Sequence, residues 1–149
     1  LYRHIEWPIV IMLAAMIPIG QALESTGITE MIAGGVVSLA GDLHVFWLLM
    51  IILVITMLIT DVINNAATAV IMAPFSVNIA VQLGQPLEPF LMVVAVGASC
   101  AFLTPIGHQC NTLVMGPGNY KFSDYWRLGL PIDVPIVLTS IPMILFVWL

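Results

Sequence analysis

Two short polar runs hold the groups in this sequence that could do chemistry. The first is Thr60-Asp61-Val62-Ile63-Asn64-Asn65, and the second is Thr104-Pro105-Ile106-Gly107-His108-Gln109-Cys110-Asn111-Thr112. Each interrupts a long apolar stretch. Side-chain oxygens of Asn and Thr, together with carbonyls freed where a helix unwinds, are hard ligands that suit a cation such as sodium. Helix N-termini aimed at the same breaks would offer backbone N–H groups and positive dipole ends to an anion. The basic residues are Arg3, Lys121 and Arg127, and none lies in or beside either run. An anion bound here would be held by dipoles, amides and a co-bound cation.

Each candidate also has a plainer reading. Asn64-Asn65 can cap a helix starting near Ala66, since Asn is a favoured N-cap. Capping alone does not explain two amides and an acid inside apolar sequence, so a binding role stands beside it. Asp61 can be a hydrogen-bonded structural acid, an ion ligand or a proton carrier. His108 can be a packed polar residue, a site residue or a proton carrier. Cys100 reads as a small buried hydrophobe, and Cys110 has no base partner other than His108. His4, His44 and His108 fall on separate elements without metal-ligand spacing, and there is no Gly-rich phosphate loop. The Met and aromatic residues read as lipid-facing or core, and Glu24, Glu30 and Glu88 as solvated loop charges. No enzyme is expected.

The elements that must position these runs follow from composition. Of 149 residues, 61% are hydrophobic and 7% charged, against roughly 25% charged in an average soluble chain. So few charges could not cover a soluble surface, and the bilayer is the expected solvent. With three basic residues and a net charge of −5, nucleic acid is not an expected partner; membrane lipid is. The two cysteines lie in apolar sequence and do not read as a disulfide framework. The chain opens at Leu1 without a signal-peptide pattern and closes on an apolar run, so it is expected to be part of a larger polytopic protein.

Residues 7–23 read as a first spanning helix, and 28–40 as an interfacial helix with apolar positions at helical spacing. Residues 45–59 and 66–83 are two arms of about 24 to 27 Å, slightly short for spanning. Their junction at 60–65 carries no Lys or Arg. A re-entrant hairpin with its tip inside the protein fits, because irregular backbone at membrane depth must be buried in protein or line a cavity. A turn follows at 83–89. Residues 89–115 as one helix would be roughly 40 Å long, so a helix unwound in its middle is expected. Residues 130–149 form the last span, with Pro131, Pro135 and Pro142. With 28–40 lying flat, Lys121 and Arg127 fall on the cytoplasmic side with Arg3, as the positive-inside rule prefers. Two interrupted helices of this kind point to a transporter site.

Several segments resemble a known family. Residues 60–70, Thr-Asp-Val-Ile-Asn-Asn-Ala-Ala-Thr-Ala-Val, followed by Pro74, look like the hairpin tip of the divalent anion:sodium symporters, which include sodium/sulfate and sodium/dicarboxylate carriers. Residues 105–118 resemble the family's second broken helix, and 120–131 the lead-in to its last span. The resemblance implies one inverted repeat, the C-terminal half, whose partner is the N-terminal half of the same transporter. It also implies a homodimer in which a substrate-carrying part moves against a scaffold. Residues 1–43 would be scaffold and interfacial helix. Residues 44–149 would be the transport part: hairpin 44–83, broken helix 89–115 and last transmembrane helix 128–149.

In this family a Ser-Asn-Thr motif at each hairpin tip contacts substrate and sodium. The matching positions are Asn64, Asn65 and Ala66, so only the central Asn65 is kept. His108 and Gln109 stand where dicarboxylate carriers often have Thr and Pro, and with Asn111 they complete the implied substrate set. The implied sodium ligands are oxygens of Thr60, Ile63, Asn65 and Gly107. The expectation is an all-α polytopic membrane protein of the cell (inner) membrane that carries small divalent anions, sulfate or di- and tricarboxylates, with sodium by an elevator-type mechanism. Proton coupling through Asp61 or His108, and a non-transporting scaffold or channel subunit, are the alternatives.

Overall fold

The computed structural model describes residues 44–148 and, before them, only positions 14, 18, 22, 25–27, 31, 34 and 35. The expected spanning helix 7–23 and interfacial helix 28–40 therefore lie outside the described residues. The rest is helical. In order come α1 (Val45–Thr60), α2 (Asn65–Gln82), α3 (Leu87–Ser99), α4 (Gln109–Met115) and α5 (Phe122–Trp148).

α1 stops where Asp61, Val62 and Ile63 fold back on it, the Ile63 N–H donating to the Ile59 carbonyl at 2.9 Å. Asn64 then starts α2, its Oδ1 accepting from the Ala67 N–H at 2.8 Å, as an N-cap amide should. The turn between α2 and α3 needs a left-handed residue, and Gly84 supplies it at φ +62°. The Gln85 N–H reaches back to the Ala80 carbonyl at 2.9 Å, closing the helix end. α3 is the central element and packs on α1, α2 and α5. The core joins Leu49, Ile52 and Leu53 of α1 to Ile79 of α2, Phe90 and Val93 of α3, and Ile141 of α5. The Ser76 hydroxyl of α2 also donates to the Phe90 carbonyl at 2.9 Å.

Two boundaries differ from those expected. The break after α3 begins at Cys100, four residues before Thr104, and 109–112 are already helical in α4. The cause is tertiary: the Ala98 carbonyl and the Leu103 N–H find partners at the end of α1 and on the α1–α2 turn, described below. The last helix starts at Phe122, not 128, and runs 27 residues through all three prolines. Asp124 secures that start, its carboxylate accepting from the Lys121 N–H at 2.8 Å. Farther along, the Thr139 hydroxyl donates back to the Pro135 carbonyl at 2.7 Å, the i−4 bond a threonine commonly makes inside a helix. α2 and α5 are long and apolar enough to cross a membrane. Large apolar side chains such as Leu128, Leu138 and Phe146 cover the outside of α5, while Thr56, Thr60, Asp61, Thr68, Ser76 and Asp133 are buried.

Candidate functional site

The α1–α2 turn and the break after α3 meet face to face. Asp61 is buried, and its Oδ1 accepts from the Leu103 N–H at 2.9 Å. The Thr104 hydroxyl donates to the Asp61 carbonyl and accepts from the N–H groups of Ile106 and Gly107 at 3.2 and 3.1 Å. Thr104 is thus the rivet between the two irregular segments. Gly107 is seated directly on the turn: a Cβ there would lie 2.8 Å from the Thr60 carbonyl oxygen and 3.0 Å from Asp61 Cα. Only a residue without a side chain permits that approach.

At the centre stands Thr60. Its Oγ1 lies 2.9 Å from Asn65 Oδ1 and 2.9 Å from the Ala98 carbonyl. One hydroxyl carries one proton, so three oxygens converge around a single hydrogen. The Ala98 carbonyl is available because α3 ends one residue later, and the last turn of a helix leaves its carbonyls without intrahelical partners. An oxygen-rich spot short of donors suits a hard cation better than an anion.

The structure brings Thr60, Asp61, Asn65 and Gly107 together. Ile63 and Asn64 stand on the exposed side of the same turn, and Ala66 is half-buried at the start of α2. His108 caps α4, its Nδ1 accepting from the Cys110 N–H at 3.2 Å. Gln109 is exposed in the first turn of α4. Asn111 faces the break, where its side-chain NH2 donates to the carbonyls of Ala101 at 2.8 Å and Thr104 at 3.1 Å. Its own carbonyl accepts from the Tyr125 hydroxyl at 2.7 Å, tying the break to α5. The Thr112 hydroxyl holds the Pro105 carbonyl at 2.6 Å. Cys100 is buried and Cys110 exposed, both as free thiols.

Three buried polar atoms have no hydrogen-bond partner among the described residues: Asp61 Oδ2, Thr68 Oγ1 and Asp133 Oδ1. Sequence reasoning gave Thr104 no role beyond its place in the second run, and passed over Tyr125 and Asp133. Asp133 had a signal of its own, because an ionisable residue within an apolar span is expensive and marks function by default.

Residues 1–97 match the citrate transporter (CitMHS) family. The chain belongs to that family of membrane transporters. It is 39% identical over 143 residues to the uncharacterized transporter YfbS of Escherichia coli, covering 96% of this chain and 23% of the relative. It is 36% identical over 148 residues to an uncharacterized transporter of Synechocystis, covering 99% of this chain and 24% of the relative. A sodium/sulfate cotransporter of Chlamydomonas reinhardtii is 27% identical over 139 residues, covering 93% of this chain and 16% of that protein. The chain spans about a quarter of the length of the first two relatives. These relatives agree with the resemblance to divalent anion:sodium symporters and are transporters, not enzymes. Family membership and the two long apolar helices α2 and α5 mark the chain as an integral membrane protein.

Proposed function

We propose that this chain is the C-terminal repeat of a transporter that carries a small divalent anion inward with sodium. The single observation that carries the reading is the oxygen cluster at the turn. Thr60 Oγ1, Asn65 Oδ1 and the Ala98 carbonyl converge around one proton, with Gly107 closed onto the Thr60 carbonyl. Sodium at Thr60, Ile63, Asn65 and Gly107 would bind first. Its charge would then lower the cost of bringing an anion to the exposed ends of α2 and α4, where Asn64, Asn65, Ala66, His108, Gln109 and Asn111 stand.

The family is named for citrate transport, whereas the Chlamydomonas relatives are named for sulfate. Both are multivalent oxyanions, and neither break in this chain carries an Arg or Lys to pair with one. The hairpin of α1 and α2 would be re-entrant. Residues 44–149 would form the moving part of an elevator-type homodimer, completed by 1–43 and the N-terminal half. Lys121 and Arg127 would be cytoplasmic, and the inner membrane would be the site of action. Asn65→Ala in the full-length transporter should abolish sodium-dependent uptake at normal expression. Uptake at the wild-type rate would sink the proposal.

A further inference from the structure

The break after α3 is fastened from two sides. On one side is the α1–α2 turn, where Asp61 holds the Leu103 N–H and the Thr104 hydroxyl joins the Asp61 carbonyl to the Gly107 N–H. On the other is the first turn of α4. There the Asn111 side-chain NH2 donates to the carbonyls of Ala101 and Thr104 at 2.8 and 3.1 Å. The neighbouring Thr112 hydroxyl donates to the Pro105 carbonyl at 2.6 Å. Carbonyls freed where the helix unwinds are thereby satisfied, which irregular backbone at membrane depth requires.

Asn111 stands with the residues at the anion's end of the site, but its amide is already spent. A primary amide has two N–H donors and a carbonyl that can only accept. Both donors face backbone carbonyls, and turning the amide over would set its oxygen against two others. An anion needs donors, and neither of these is left for one.

The grip on Asn111 comes from α5. The Tyr125 hydroxyl, in the first turn of that helix, donates to the Asn111 backbone carbonyl at 2.7 Å. Tyr125 is half-buried, and its ring packs edge-on against Tyr120 with centroids 6.2 Å apart. One turn farther along the same face, Gly129 closes on the break itself, where a Cβ would lie 2.5 Å from the Phe102 carbonyl oxygen. Contacts therefore run unbroken from α5 to the oxygen cluster. Tyr125 holds Asn111, Asn111 holds Thr104, Thr104 holds the Gly107 N–H, and Gly107 is seated on the Thr60 carbonyl.

We propose that Tyr125 and Asn111 are positioning residues for the sodium site and that Asn111 makes no contact with the anion. They act through Thr104, which keeps Gly107 against Thr60, so that sodium affinity is set in part from α5. The proposal rests on the sodium-coupled reading and deepens it.

Uptake by the full-length transporter tests this, titrated first with sodium and then with sulfate and with citrate at saturating sodium. Tyr125→Phe keeps the ring and its contact with Tyr120 but loses the hydroxyl. It should raise half-saturating sodium about 2- to 10-fold, the weight of one hydrogen bond, with half-saturating anion unchanged. Asn111→Ala, which strips two carbonyls of their donors, should raise it further. A raised half-saturating anion with wild-type sodium dependence in Asn111→Ala would overturn the proposal and return Asn111 to the anion. Lower thermal stability with both values at wild type would also overturn it, leaving these bonds to packing alone. Should Asn111→Ala fail to reach the membrane, Tyr125→Phe carries the test, and a wild-type sodium curve there would overturn the proposal. Wild-type uptake that ignores sodium would overturn the sodium-coupled reading itself, and this proposal with it.

Discussion

Adding one methyl group at Gly107 tests whether the contact between turn and break sets sodium affinity. The Gly107→Ala methyl would stand 2.8 Å from the Thr60 carbonyl oxygen, 2.9 Å from Ala101 Cβ and 3.0 Å from Asp61 Cα. None of these atoms is the far end of a flexible side chain, so the break must move off the turn. Overpacking of this kind costs about 1–3 kcal/mol. Thr104 limits where the strain can go, because its hydroxyl holds the Gly107 N–H and the Asp61 carbonyl together. If opening that gap spreads the sodium-facing oxygens, the strain falls on the bound state. A differential of 1–3 kcal/mol corresponds to about 5–150-fold in affinity. Sodium titration of anion uptake by full-length transporter should show a rise of that size in half-saturating sodium. Gly116→Ala, whose methyl meets nothing within 4 Å, should stay within about 0.5 kcal/mol of wild type. Lower thermal stability with wild-type sodium dependence in Gly107→Ala would refute the reasoning and leave Gly107 a packing residue only.

Other expectations follow from the same contacts. Thr60→Val keeps the shape but removes the hydroxyl shared by Asn65 and Ala98. It should cost about 1–3 kcal/mol and most of the sodium response, while Thr60→Ser should restore both, as read by sodium-dependent thermal shift. Gly129→Ala would place a methyl 2.5 Å from the Phe102 carbonyl oxygen, and melting curves should show a loss of about 1–3 kcal/mol from overpacking. Thiol alkylation of the folded protein should modify the exposed Cys110 and spare the buried Cys100, a pattern mass spectrometry reads directly.

What was legible in the sequence follows from how local each signal is. The α1–α2 turn could be read because Asn64 and Asn65 break an apolar run and Asn64 caps the next helix by itself. The second break could be read from Pro105 and Gly107, but its start at Cys100 could not. Cys100-Ala101-Phe102-Leu103 is apolar and carries no breaker. Those residues leave the helix because Thr60 takes the Ala98 carbonyl and Asp61 takes the Leu103 N–H, contacts 38 and 42 residues apart in sequence. The early start of α5 was missed because Ser123, Asp124 and Arg127 precede the apolar run, although Asp124 itself secures the helix start. Asp133 was lost to averaging: a window over 130–149 is apolar enough that one acid disappears into it. Asn111 was legible as a polar group in the break, while its attachment to Ala101, Thr104 and Tyr125 depends on the fold.

The central claim is that anion binding requires sodium. Its most direct test is thermal stabilisation of the purified full-length transporter by sulfate, succinate, citrate and phosphate, each in sodium and again in choline. The account predicts stabilisation by a divalent anion in sodium and none in choline. Equal stabilisation in both salts would contradict sodium coupling, and no shift with any of the four anions would contradict anion binding at this site.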